Sequence, residues 1–141
     1  MMFDSVPTVT ISAQEQQTIH YYNTQAPSWF ERHSSNPLIW QAEFKLFQQY
    51  LPQGAILDVG CGGGRDAAML LGMGYSYTGI DASAALVKIA QQQVPEARFV
   101  CQNAYDMDFP PARFDGFICN AMLLHIPKER VSEVLQRIKA A

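Results

Sequence analysis

This sequence contains no apolar run approaching the length of a membrane span. Its first residues, Met1-Met2-Phe3-Asp4, have neither the basic start nor the apolar core of a signal peptide. Runs of lysine or arginine are also missing, and the net charge is −3, which argues against nucleic acid as a partner. Cysteine is scarce: Cys61, Cys101 and Cys119 form no C-x-x-C pair, so neither a zinc knuckle nor a thiol redox motif is suggested. Each stands at or near the end of a predicted strand and reads as a small buried thiol in a reducing cytosol. No internal repeat, no low-complexity segment and no metal-ligand spacing occurs. What remains is 141 residues, 48% of them apolar, enough for one core of ordinary size. A soluble cytoplasmic protein is the expectation.

The most informative stretch is Ile56-Leu57-Asp58-Val59-Gly60-Cys61-Gly62-Gly63-Gly64-Arg65-Asp66. Ile56–Val59 reads as a strand, the glycines as a tight turn, and a helical pattern starts near Arg65. Such a turn brings backbone close to a ligand, and the helix start aims free N–H groups at it. The ligand can be narrowed. Counting from Gly60, the sixth position is Arg65, so the third glycine of a dinucleotide G-x-G-x-x-G is missing. No Gly-Lys pair exists for a phosphate loop. Asp58 beside the turn would oppose a pyrophosphate and suit a cation. A second predicted strand, Tyr75–Ile80, ends in Asp81, 21 residues after Gly60 and at the spacing where a carboxylate takes ribose hydroxyls. A ribose, a positive charge and no phosphate clamp together fit S-adenosylmethionine.

Here the sequence resembles the Rossmann-like class I S-adenosylmethionine-dependent methyltransferases. Asp58–Gly64 match the first motif of that family and Gly79-Ile80-Asp81 the second. Asn103-Ala104, then Phe114-Asp115 and Leu123-Leu124-His125, match the third and fourth blocks, in order and in register. The resemblance implies a three-layer α/β fold with a parallel sheet. It divides the chain into a helical cap or lid over residues 1–53 and a cofactor-binding core over 54–141. It also implies in-line methyl transfer from the sulfonium, to a small molecule given the lack of basic patches. Family members have a seven-stranded sheet, and Ala141 falls where the fifth strand would begin. The fourth strand is therefore expected at an open edge, covered by a second copy or by a rearranged terminus. Two other readings stay open: a non-catalytic or truncated cofactor-binding module, and a nicotinamide-dependent oxidoreductase.

The resemblance places Gly60, Cys61, Gly62 and Gly64 along the methionine part of the cofactor, with Asp58 at its ammonium end. Arg65 would reach the cofactor carboxylate or stand solvated at the helix start. Asp81, with Ala82 beside it, would hold the ribose, its carboxylate facing the cleft and adding little to stability. Asn103 and Ala104 would border the adenine, with Asn103 or nearby backbone on the exocyclic amine. Asn120, Ala121 and Leu124 would floor the cavity near the sulfonium. His125 is the candidate general base, since imidazole titrates near neutrality. The competing reading is a structural histidine, because transfer from a sulfonium often needs no strong base.

Residues 1–11 carry no pattern. Ser12 and Glu15 form a capping box for a helix over 13–23, which Gln25–Ser28 is expected to break before a short turn through Trp29, Phe30 and Arg32. Asn36-Pro37 reads as the start of a helix over 38–51 with Ile39, Ala42, Leu46, Phe47 and Tyr50 as its inner stripe. Further helices are expected after the glycine turn, from Ser83 to Pro95 with Leu86, Ile89 and Ala90 inward, and after Pro127 with Val131, Val134, Leu135 and Ile138 on one stripe. Phe99–Cys101 and Phe114–Cys119 are the third and fourth strands, with a loop over 102–113 between them. Strands alternating with helices give right-handed crossovers and a site beyond the carboxyl ends of the strands.

Overall fold

A computed structural model describes residues 9–141, so most of the patternless start lies outside the described residues. Four parallel strands, β1 (Ala55–Val59), β2 (Ser76–Asp81), β3 (Arg98–Cys101) and β4 (Gly116–Ile118), pair in the order β3-β2-β1-β4. Five α-helices accompany them among the described residues: α1 (Ala13–His33), α2 (Gln41–Tyr50), α3 (Ala67–Gly72), α4 (Ala84–Gln93) and α5 (Val131–Ala140). The register sets Asp58 level with Gly79 on one side and with Ile118 on the other. β1 is therefore central and buried on both faces, as its apolar Ile56, Leu57 and Val59 require. One face of the sheet packs on Phe44, Leu70, Val87 and Ala90, the other on Tyr105, Met107, Val134 and Ile138.

The expected break at Gln25–Ser28 does not occur: α1 runs through Pro27 as one helix of 21 residues. Proline there removes one helical hydrogen bond, a cost of about 3 kcal/mol in an isolated helix. Tertiary contacts outweigh it. Ala26 is fully buried, and Trp29 and Phe30 lie against the glycine turn. The Asn23 side-chain oxygen accepts from Ser83 Oγ (2.7 Å) and from the Ala85 N–H (3.2 Å), joining α1 to the start of α4. At its other end the capping box forms as expected, and Tyr105 donates to Glu15 (2.5 Å).

α2 is shorter than expected, and of the expected inner stripe only Phe47 packs inward. A turn at 37–40, supported by Asn36 Oδ1 accepting from the Leu38 N–H, precedes it. Phe44 is buried, whereas Leu46 and Tyr50 are exposed. Ile39, Ala42, Leu46 and Tyr50 share the helical spacing, but the sheet meets the helix through Phe44 and Phe47. Phe47 and Leu51 press on Gly116 of β4. In α4 the buried partner of Leu86 and Ala90 is Val87, not Ile89, and in α5 Leu135 points outward while Val134 and Ile138 are buried.

Only Gly116–Ile118 of the expected fourth strand pair with β1, and that strand is the edge. Before it, the Ala141 carbonyl accepts from the N–H groups of Arg113 (2.5 Å) and Phe114 (3.1 Å), satisfying donors next to the edge. Cys101 is exposed on the outer strand β3, against the expectation of a buried thiol; Cys61 and Cys119 are half-buried.

Gly79 shows how tightly β2 meets the glycine turn. A methyl group there would lie 2.8 Å from Cys61 Cβ and 2.9 Å from Phe99 Cδ1. Gly79→Ala should therefore cost about 1–3 kcal/mol through overpacking. A thermal melt unchanged from wild type would refute this packing.

Candidate functional site

The carboxyl ends of all four strands open into one cavity of about 490 Å³, within the range of small-molecule sites. Its base is the turn after β1. Gly60, Gly62 and Gly64 hold φ of 81°, 55° and 82°, a region that other residues rarely enter. Asp58, Gly60, Cys61, Gly62, Arg65, Asp81, Ala82, Asn103, Ala104, Asn120, Ala121, Leu124 and His125 all line the cavity. Gly64 does not: it lies beneath, where an added Cβ would meet Ala90 and Phe99 at 3.0 Å.

Asp58 is fully enclosed and accepts a hydrogen bond from Tyr77 (2.6 Å). Burial pushes its carboxyl up to about 7; the Tyr77 hydrogen bond holds it back, and the charges of Asp66 and Asp81 raise it further. Cys61, packed beneath Gly79, has its thiol pushed well up by burial, which keeps it an unreactive thiol.

Asp81 is not merely turned to the cleft. Its Oδ2 accepts from the Gly62 N–H (3.0 Å) and its Oδ1 from the Ser83 N–H (2.9 Å). It thus pins the glycine turn to the end of β2 and starts α4, a structural duty that the strand-end spacing does not reveal. Burial raises its carboxyl above the usual range, against those two hydrogen bonds. Each oxygen keeps a further lone pair for a ligand.

Three expected contacts change. Asn103 spends its Oδ1 on the Tyr105 N–H, capping a single 3₁₀ turn at Ala104–Asp106 in the expected loop. Arg65 forms a bidentate pair with Asp66 (2.9 and 3.0 Å) and reaches the His33 carbonyl, so it stands neither free nor solvated. Leu124 is 71% exposed and lies at the rim, not the floor. Ala121, also exposed, holds φ 54° directly after Asn120, a strained backbone at the edge of the cavity.

Residues 56–141 match the family described as Methyltransferase domain. The chain belongs to that family. It is 32% identical over 100 residues to a ubiquinone biosynthesis O-methyltransferase of Xanthomonas campestris, covering 67% of this chain and 41% of that protein. Its fold is similar to that of the magnesium protoporphyrin IX methyltransferase of Synechocystis, solved with bound S-adenosylmethionine (TM-score 0.72, 21% identity, 93% of this chain and 73% of that one). It is likewise similar to 1,6-didemethyltoxoflavin-N1-methyltransferase of Burkholderia thailandensis, solved with 1,6-didemethyltoxoflavin and S-adenosylhomocysteine (TM-score 0.71, 22% identity, 99% and 66%). The chain spans about 41% of the length of the curated relative.

In this methyltransferase domain two further residues belong to the site. Gln102 follows β3, and its amide nitrogen donates to the Asp106 carbonyl (2.9 Å). Its Oε1 is thereby fixed, buried and without a partner among the described residues, as is Asn120 Nδ2. The motif reading stopped one residue short, at Asn103. Tyr22 is the other: its hydroxyl meets His125 Nε2 at 3.0 Å across the cavity. α1 delivers it there, 103 residues away in sequence from its partner.

Proposed function

We propose that this domain binds S-adenosylmethionine in the strand-end cavity and transfers its methyl group to a small molecule, with residues 9–53 forming a lid. The carrying observation is the pair of buried, unpartnered atoms in the wall, the acceptor Gln102 Oε1 and the donor Asn120 Nδ2. Each costs about 1–3 kcal/mol while unmet; an adenine amine meets the need of Gln102 Oε1, and Asn120 Nδ2, past the opposite edge strand, is left to the methionine end of the cofactor. In this reading Asp81 takes the ribose hydroxyls, Gly60 and Gly62 flank the amino acid tail, and Asp58 faces its ammonium group. Ala104 and Gln102 border the adenine together with Asn103. The bound sulfonium supplies an activated methyl group. The chain's residues hold it beside the acceptor and exclude water, which is where most of the rate arises.

The relatives named for O- and N-methyl transfer support a small-molecule acceptor. No described helix is long and apolar enough to cross a membrane. Calorimetric titration tests the proposal: S-adenosylhomocysteine should bind one site, and NADH should not. NADH binding with no S-adenosylhomocysteine binding would replace this reading with an oxidoreductase.

A further inference from the structure

We infer that α1 carries a hinge between Asn23 and Pro27, and that its last stretch, residues 27–33, is a flap that lifts to admit the cofactor. The inference rests on the cofactor assignment above and adds how that site is entered.

The weak point of α1 follows from its residues. Pro27 stands inside the helix. It has no N–H for the Asn23 carbonyl four residues earlier, and its ring crowds that carbonyl. Neighbouring side chains compete for the helix's acceptors. Thr24 Oγ1 donates to the carbonyls of His20 and Tyr21 (both 3.0 Å), and Ser28 Oγ to that of Gln25 (3.1 Å). Such back-bonding weakens and bends a helix, and bending concentrates at proline. Thr24, Pro27 and Ser28 put all of this into little more than one turn.

The two sides of that point are held differently. Residues 13–26 are fastened to the core by polar and buried contacts. Glu15 accepts from Tyr105 (2.5 Å), and Asn23 Oδ1 accepts from Ser83 Oγ (2.7 Å) and the Ala85 N–H (3.2 Å). Ala26 is fully buried. Beyond Pro27 the contacts change in kind. Trp29 and Phe30 rest their rings on Gly62 and Gly63, and rings on bare glycine part without breaking a polar bond. Trp29 stacks on His33 within the flap (4.3 Å, 18°) and moves with it, while its edge contact with Tyr22 (5.5 Å) spans the hinge. At the far end Arg65 Nη1 donates to the His33 carbonyl (3.3 Å), a cation at a helix C-terminus. Trp29, Phe30 and His33 line the cavity with Gly62, Gly63 and Arg65. The flap therefore roofs the glycine turn, where the methionine part lies in the reading above. Lifting it opens that end of the cavity while residues 13–26 stay in place.

The test compares wild type with Pro27→Ala in the full chain. One measurement is amide hydrogen exchange without ligand; the other is stopped-flow tryptophan fluorescence with S-adenosylhomocysteine. Alanine restores the missing N–H, and Pro27 is exposed, so no packing is lost. In wild type, amides of residues 28–33 should exchange at least about tenfold faster than those of 16–23, and Pro27→Ala should remove most of that difference. Pro27→Ala should also slow association and dissociation of S-adenosylhomocysteine alike, by about five- to tenfold, the worth of one added helical hydrogen bond. The dissociation constant should stay within about threefold of wild type. A merely structural proline would raise the melting temperature and leave both rates alone. That result, or uniform exchange along α1, overturns the inference. Failure of wild type to bind S-adenosylhomocysteine would instead sink the cofactor reading, and the exchange comparison would still decide the hinge.

Discussion

Asp81→Ala should weaken S-adenosylhomocysteine binding by roughly ten- to several hundredfold and should also lower the melting temperature of the ligand-free domain by several degrees. The affinity loss follows from two hydrogen bonds to a charged group, worth ~1.5–3 kcal/mol each and less than additive as a pair. The stability loss has a separate origin. Without the carboxylate, the Gly62 and Ser83 N–H groups lose their acceptor, at about 1–3 kcal/mol for each donor left buried. A domain of this size responds with about 2–8 °C per kcal/mol. Asp81→Asn keeps one acceptor oxygen and should fall between the two proteins in both measurements. Calorimetry well below the lowest melting temperature separates the effects. A variant that binds S-adenosylhomocysteine as wild type does would remove Asp81 from the ribose site, whatever its melting temperature.

That double role marks the limit of what the sequence made legible. The four strands, their parallel direction and the strand-end site follow from apolar runs, glycine clusters, strand-end acids and the alternation of strands with helices, all local signals. Gly60, Asp81 and Asn120 stand where that pattern puts them. The errors arose where tertiary contact overrides a local rule. Pro27 reads as a helix breaker, yet packing of Ala26, Trp29 and Phe30 carries α1 through it. Of the stripe Ile39, Ala42, Leu46, Phe47 and Tyr50 only Phe47 packs inward, because periodicity identifies a face and not the side on which the sheet lies. Asn103 carries the right chemistry, but its oxygen already caps a 3₁₀ turn, and the buried acceptor without a partner stands on the adjacent Gln102. Short polar side chains are prone to this, since they bond their own backbone first. The pairing of Tyr22 with His125 spans 103 residues and has no local signature at all.

Binding of S-adenosylhomocysteine should strengthen as pH rises from about 6 to about 8, by roughly tenfold, and should release a proton on the acid side of that range. The titrating group is Asp58, which burial pushes up to about 7 in the ligand-free fold. Below that value it is mostly neutral, and a neutral carboxyl attracts an ammonium group poorly. Binding must then expel the proton, which limits the dependence to about 1.4 kcal/mol, or tenfold, per pH unit. Above it the carboxylate is already formed and the dependence flattens. Stability runs the other way. Between the ordinary value of 3.8 and about 7, the folded chain holds a proton that the unfolded chain has released. The fold therefore loses stability from this group as pH rises through that window and keeps it below. Asp58→Asn separates the two effects: its affinity should be weak and flat with pH, and the contribution of this group to the stability slope should vanish. Titrations in buffers of different ionisation enthalpy would count the released proton directly. Equal affinity at both pH values, with no proton released, would place the ammonium group somewhere other than against Asp58.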